Sequence, residues 1–248
     1  MKKVLIALAE AVVPDRYQLP LRFSWLKSIG MLDDEMFRAL SLTERRRVFV
    51  DIGANMGIYS YFFSKHFGRV EAFEPLREVT YRLRALGSGK VRVHDVALSD
   101  RQGTLRFNIP LVGGKPNAQL ASLEPRGDPC EVREVEVRTV DSYGFTEVDL
   151  MKIDVEGHEE KVIKGALATI TSCRPVLLIE IEQRHLESPI DAIFALVTDL
   201  GYDGFFMRGE DVVPLDRFDY ERDQRPHLDD PMHPDYVNNF IFVPKTAG

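Results

Sequence analysis

The stretch that most restricts the fold of this chain is VFVDIGANMG, residues 48–57. An apolar, β-branched run with no polar alternation is a strand buried on both faces, which means a parallel sheet covered by helices on either side. The run ends at Gly53 and enters a helical stretch, YSYFFSKHF, that stops near Gly68; a second strand, RVEAFEP, is closed by Pro75. Strand, helix and strand in that order form a βαβ unit.

The same reading extends down the chain. Residues 77–86 are predicted as the next helix and VRVHDVAL as the third strand. From Arg101 to Thr139 polar and apolar residues alternate about a Gly113-Gly114 and Pro116 cluster, so residues 101–139 are expected to be an antiparallel hairpin inserted beside the parallel core. DLMKIDVEG is a further buried strand, residues 159–171 a helix, and PVLLIEIE the fifth strand. Residues 190–200 form a helix ended by Gly201, and GYDGFFM and NNFIFVP close the chain as two late strands joined by a loop rich in Asp, Pro and His. At 248 residues the chain suits one large α/β domain, residues 48–248, preceded by an N-terminal helical segment, residues 1–47.

Composition removes several classes. Lys and Arg total 32 against 39 Asp and Glu, a net charge of −7, which gives little drive toward phosphate backbones and sets nucleic acid aside as a partner. Cys130 and Cys173 stand far apart and outside any zinc spacing, as expected in a reducing cytoplasm. Val4, Leu5, Leu8 and Val12 recur near helical spacing, but Glu10 interrupts the run. No stretch approaches the roughly 18–20 apolar residues of a spanning helix, so no stable membrane insertion is expected.

In an open α/β sheet a ligand sits outside the carboxyl end of the first strand, which puts Asp51-Ile52-Gly53-Ala54-Asn55-Met56-Gly57 in the ligand-binding position. An isolated glycine pattern is also what a plain strand-to-helix turn looks like. Glu74, at the end of the second strand and 23 residues beyond Asp51, adds a carboxylate where the ribose hydroxyls of an adenosine cofactor are received. A dinucleotide site wants GxGxxG; here position 55 is Asn and position 58 is Ile. DxGxNxG fits instead a cofactor with a cationic amine and no phosphate, which is S-adenosylmethionine.

DIGANMGIYS, FEP, VALSD, KIDVEGHE and the terminal NFIFVP, in that order over about Val48 to Pro244, resemble the FkbM family of S-adenosylmethionine-dependent methyltransferases. The resemblance implies a class I methyltransferase (Rossmann-like) fold. That is a mixed seven-stranded sheet, mostly parallel, with helices on both faces and an antiparallel final strand, here carrying the β-hairpin insertion. It also implies O-methylation, often of a sugar in a polysaccharide, glycolipid or natural product. By it Asp51, Gly53, Ala54, Asn55, Gly57 and Ser60 line the methionine end, Glu74 the ribose, and Asp95 with Val96 the adenine.

Methyl transfer to a hydroxyl needs an in-line approach and removal of a proton from a weak acid, so a base or a metal ion belongs at the mouth of the site. The fourth strand ends in Asp154, followed by Glu156 and His158; the fifth ends in Glu180 and Glu182, followed by His185. Asp154, Glu180 and His158 are the candidates for the chemistry. Asp154 and Glu156 share a face if their strand persists, as do Glu180 and Glu182. A helix's amino terminus equally explains Glu156 and Glu159, and a histidine in a first turn is commonly just exposed. The acidic grouping also offers oxygen ligands to a divalent ion. Trp25 with Phe23 reads as a core anchor of the N-terminal segment. Asn117 and Ser122 of the insertion read first as ordinary loop residues that could also reach the substrate, and Arg222, Arg225, His227 and His233 of the late loop could form a polar acceptor pocket, each alone a weak signal. Two other functions share the pattern: a dinucleotide-linked oxidoreductase acting on a sugar nucleotide, and a non-catalytic binding module of the same fold.

Overall fold

The computed structural model describes residues 13–125, 127 and 129–245. The apolar pattern read over Val4 to Val12 lies outside them. Two helices, α1 (Asp15–Ser28) and α2 (Asp34–Leu42), precede the sheet. The first half then runs β1 (Val48–Ile52), α3 (Ile58–Ser64), β2 (Arg69–Phe73), α4 (Tyr81–Ala85) and β3 (Val91–His94). A second group of strands follows: β4 (Ala97–Leu98), β5 (Gly103–Val112), β6 (Lys115–Pro116) and β7 (Cys130–Arg138). The chain returns through β8 (Val148–Ile153), α5 (Glu159–Lys164), α6 (Leu167–Cys173), β9 (Val176–Glu180) and α7 (Asp191–Asp199). It closes with β10 (Tyr202–Arg208), β11 (Asp211–Pro214), α8 (Tyr220–Asp223) and β12 (Asn239–Pro244).

The main sheet has the order β11-β10-β12-β9-β8-β1-β2-β3. β1, β2, β3, β8 and β9 pair in parallel, and β12 runs antiparallel between β9 and β10. This is the class I methyltransferase arrangement with one strand more than the seven expected. The extra strand, β11, folds back on β10 across the turn at Gly209 and Glu210.

Strand alternation divides the core. Val50, Ile52, Met151, Ile153, Leu177 and Ile179 face one layer with Val162, Ile163 and Val197 of the later helices. Phe49, Leu150 and Leu178 face the other, under Phe62 and Phe63 of α3 and Phe23, Met36 and Ala39 of the N-terminal helices. Each such side chain, fully buried, contributes about 1.5–3 kcal/mol relative to exposure. Phe23 is thus the anchor it was expected to be, whereas Trp25 stands 42% exposed on the other side of α1.

Four other expectations change. VRVHDVAL does not continue as one strand: the chain turns at Asp95 and Val96, and Ala97 and Leu98 pair in parallel with Val137 and Arg138 of β7. The hairpin β5–β7 gains β4 and β6 as neighbours, making a separate four-stranded sheet, β4-β7-β5-β6. The helix from Arg77 is reduced to α4, and the one from Glu159 breaks at Gly165, which lies so close under the Ser99 carbonyl that a Cβ would stand 2.0 Å from its oxygen.

Candidate functional site

Asp51 lies opposite Lys152 in the β1–β8 register and is fully buried. Ser60 Oγ, one turn into α3, donates to its Oδ2 at 2.6 Å. Its Oδ1, 3.8 Å from Lys152 Nζ, has no hydrogen-bond partner among the described residues. Burial pushes the Asp51 carboxyl above its ordinary range, with Lys152 and Ser60 opposing.

Beyond β1 the loop is held by its neighbour strand: the N–H groups of Gly53 and Ala54 both donate to the Phe73 carbonyl at 3.0 Å. Gly53 has φ +75°, and a Cβ there would stand 1.8 Å from the Asp154 carbonyl oxygen. Its glycine is therefore dictated by the adjacent strand end as well as by the turn. Gly57, φ +87°, starts α3 against Leu83, and the Ala54 methyl is buried with Leu19, Ala72 and Leu83. Asn55, at φ +46°, turns its N–H to Glu74 Oε2 at 3.1 Å, while Leu76 N–H donates to Glu74 Oε1 at 2.9 Å. Burial raises the Glu74 carboxyl to about 7 against those two bonds.

Gly53, Asn55, Glu74 and Asp154 line one side of a cleft open to solvent. Its apolar wall is Phe73, Ala97 and Leu98, and the insertion closes over it with Phe107, Ala121 and Leu123. Asp95 and Val96 are not in this wall. Asp95 is ion-paired with Arg84 and Val96 belongs to the core, because the chain turn at these residues presents Ala97 and Leu98 instead.

At the reacting end the structure adds a residue that sequence reading missed. Lys152 is buried, with Nζ 2.8 Å from Asp154 Oδ2, 3.2 Å from the Gly53 carbonyl and 4.9 Å from the centre of the Tyr59 ring. Burial would lower its pKa, but Asp154, Asp51 and Glu180 outweigh that and raise it. A lysine inside the apolar strand LMKI was the available signal, since a charge buried there needs a partner. Tyr59 OH donates to Asp33 Oδ2 at 2.5 Å, so the turn between α1 and α2 also reaches this edge.

Glu180 lies beside this group, its Oε1 accepting from Asn238 Nδ2 at 3.0 Å. Burial, then Asp154 and Glu182, push its carboxyl well above the ordinary range. Glu182 belongs elsewhere: it is ion-paired with Arg184 and accepts from Tyr236 OH. β8 ends at Ile153, and Glu156 takes φ +56°, so its side chain leaves the Asp154 face and meets His185 Nδ1 at 3.2 Å. Glu159 Oε1 accepts from the Val155 and Gly157 N–H groups, in keeping with a helix-start role.

His158 is the main correction. It is buried rather than exposed, with Nδ1 2.5 Å from Glu124 Oε1 and Nε2 2.9 Å from Ser99 Oγ. Both ring nitrogens have partners, so His158 joins the insertion to the body at the edge of the cleft, which it also lines. Ser122 does the same work, donating to the Val155 and Glu156 carbonyls, and Asn117 caps its own short turn. In the late loop Arg222 is bound to Asp223 and Arg225 to Glu221, while His227 and His233 come together.

The profile of the methyltransferase FkbM domain matches residues 51–203. The 2-O-methyltransferase NoeI of Sinorhizobium fredii (strain NBRC 101917 / NGR234) is 28% identical over 185 residues, 65% of this chain and 75% of that protein. Among solved structures, the methyltransferase FkbM from Methylobacillus flagellatus KT aligns with a TM-score of 0.51 at 17% identity, over 80% of this chain and 44% of that one. The chain thus spans less than half of that protein's length, and the likeness is one of fold.

Proposed function

Because the chain belongs to the FkbM methyltransferase family, we propose that it transfers the methyl group of S-adenosylmethionine to a hydroxyl oxygen of a sugar. The observation that carries the cofactor assignment is the buried Asp51 Oδ1, an acceptor with no hydrogen-bond donor among the described residues, beside a glycine turn and Glu74. A buried carboxylate oxygen left unpaired is costly, and a cationic amine or its water would satisfy it. When bound, S-adenosylmethionine supplies a methyl group on a positively charged sulfur.

The chain's own residues divide the remaining work. Glu74 keeps two of its roughly four lone-pair positions after accepting from Asn55 and Leu76, enough for two ribose hydroxyls. Ala97, Leu98, Phe107 and Leu123 offer a flat adenine its apolar walls. Asp154, ion-paired with Lys152, accepts the hydrogen bond of the acceptor hydroxyl and then its proton as the oxygen takes the methyl group. Glu180, its carboxyl pushed well above the ordinary range by burial and its acidic neighbours, orients the same oxygen. An edge of carboxylates and the Asn238 amide suits a polyhydroxylated acceptor, and the 2-O-methyltransferase relative supports oxygen as the atom modified.

The test is twofold. S-adenosylhomocysteine should raise the melting temperature and NAD should not; labelled methyl groups should then pass into members of a glycan panel, with the product located by mass spectrometry. Stabilisation by NAD alone would replace this reading with an oxidoreductase, and no response to any adenosyl ligand would replace it with a binding module.

A further inference from the structure

Methyl transfer leaves unused two histidines that the structure gathers in the segment between β11 and β12. Four successive hydrogen bonds, each from an N–H to the carbonyl three residues back, coil residues 224–236: His227 to Gln224, Asp230 to His227, His233 to Asp230 and Tyr236 to His233, at 2.9–3.0 Å. The coil is anchored at both ends. Gln224, fully buried, donates to the Ile181 and Val237 carbonyls and accepts from Gln183 N–H, and Tyr236 OH donates to Glu182. His227 and His233, six residues apart, are thereby brought face to face with ring centres 3.9 Å apart.

Asp235 N–H donates to His233 Nδ1 at 3.2 Å, which in the neutral ring sets the lone pair on Nδ1. The Asp235 Oδ2 atom lies 3.8 Å from that same nitrogen, and one ligand atom from each of His227, His233 and Asp235 falls within 4.8 Å of the others. Metal bonds of about 2.0–2.2 Å to nitrogen and oxygen place two ligand atoms of one ion about 3–4 Å apart. Among the described residues no other trio of His, Cys, Asp or Glu is gathered this way, the acidic edge at Asp154 included.

We propose that His227, His233 and Asp235 form a site for a divalent transition-metal ion of the zinc type, independent of the methyl-transfer reading. Two imidazoles and one carboxylate select such ions over Mg²⁺ and Ca²⁺, which take oxygen ligands. The rings are stacked and parallel to within 10°, so their in-plane lone pairs do not meet as they stand; sharing one ion requires a ring to turn about its Cβ–Cγ bond, a torsion that is broad for histidine, and both rings are half-buried. Three protein ligands leave a fourth position for water. The bound ion would tie together the coil that Gln224 and Tyr236 anchor to Ile181 and Glu182.

The experiment uses the untagged full chain, stripped with EDTA and dialysed, then titrated calorimetrically with ZnCl₂ and, separately, with CoCl₂ followed by visible absorption. The expected result is one Zn²⁺ per chain and Co²⁺ ligand-field bands, neither removed by millimolar Mg²⁺. His227→Ala, His233→Ala and Asp235→Asn should each weaken binding by about tenfold or more, with unchanged circular dichroism. His227→Gln, which keeps a polar group there, should show the same loss if the alanine variant is poorly folded. Absence of stoichiometric Zn²⁺ binding, parent-like affinity in the histidine variants, or displacement by Mg²⁺ would each overturn the proposal.

Discussion

Lys152 is the residue on which the electrostatics of the site turn, because it is the buried cation facing Asp51, Asp154 and Glu180. Removing one partner of a buried ion pair leaves the other uncompensated, so Lys152→Met should destabilise the protein by about 3–5 kcal/mol, read as a lower urea midpoint. Adding Asp154→Asn to that variant should restore part of the loss; a double variant as unstable as the sum of its singles would mean that the two do not act as a pair. Asp154→Asn alone should keep most S-adenosylhomocysteine affinity while lowering kcat by about 10²-fold, since the amide preserves shape and cannot accept the proton. Parent-like turnover would move the base away from Asp154. Gly53→Val belongs with these. Its Cβ would meet the Asp154 carbonyl, so the variant should lose folding stability as well as cofactor binding, and a stable variant with only weakened binding would contradict the packing described.

At the level of elements, the parts of the site legible in the sequence are those built from neighbours in one βαβ unit. Asp51, the glycine turn and Glu74 are spaced by a strand, a helix and a strand, and that spacing fixes where they meet. The β11 hairpin was also within reach, because Gly209 next to Glu210 makes a two-residue turn between the short runs GFFMR and DVVP. What alternation alone does not reveal is a contact between distant segments. The clamp of His158 on Glu124 and Ser99 spans 34 and 59 residues, and the Tyr59–Asp33 bond joins α3 to a turn that precedes the sheet. That bond yields an element-scale prediction. Tyr59→Phe keeps the ring over Lys152 and releases the α1–α2 turn, so hydrogen exchange should speed up in residues 29–35 while the cofactor affinity stays within about twofold. Unchanged exchange there would show that apolar packing through Met36 and Ala39 holds the turn by itself.

For the whole molecule the acidic residues set a pH dependence whose direction follows from where they are buried. Glu74 and Glu159, 7% and 2% exposed, have carboxyls raised to about 7, chiefly by burial. A group raised on folding contributes stability that is complete below its unfolded value, near 4.5, and that is lost as the pH climbs through its folded value. Glu124 runs the other way: the hydrogen bond with His158 brings its carboxyl down to about 2, so its contribution is present above 4.5 and lost as the pH falls toward 2. Both contributions coexist near pH 5, where the ligand-free protein should have its highest urea midpoint, declining toward pH 8. Ribose hydroxyls donating to Glu74 favour its charged form and reverse the cost at that residue. S-adenosylhomocysteine should accordingly bind more tightly as the pH rises, by about tenfold per unit below pH 7, levelling off above it, with Glu74→Gln abolishing the slope. A urea midpoint that rises from pH 5 to 8, or an affinity slope that survives in Glu74→Gln, would show that the raised carboxyls lie elsewhere than at the cofactor's ribose.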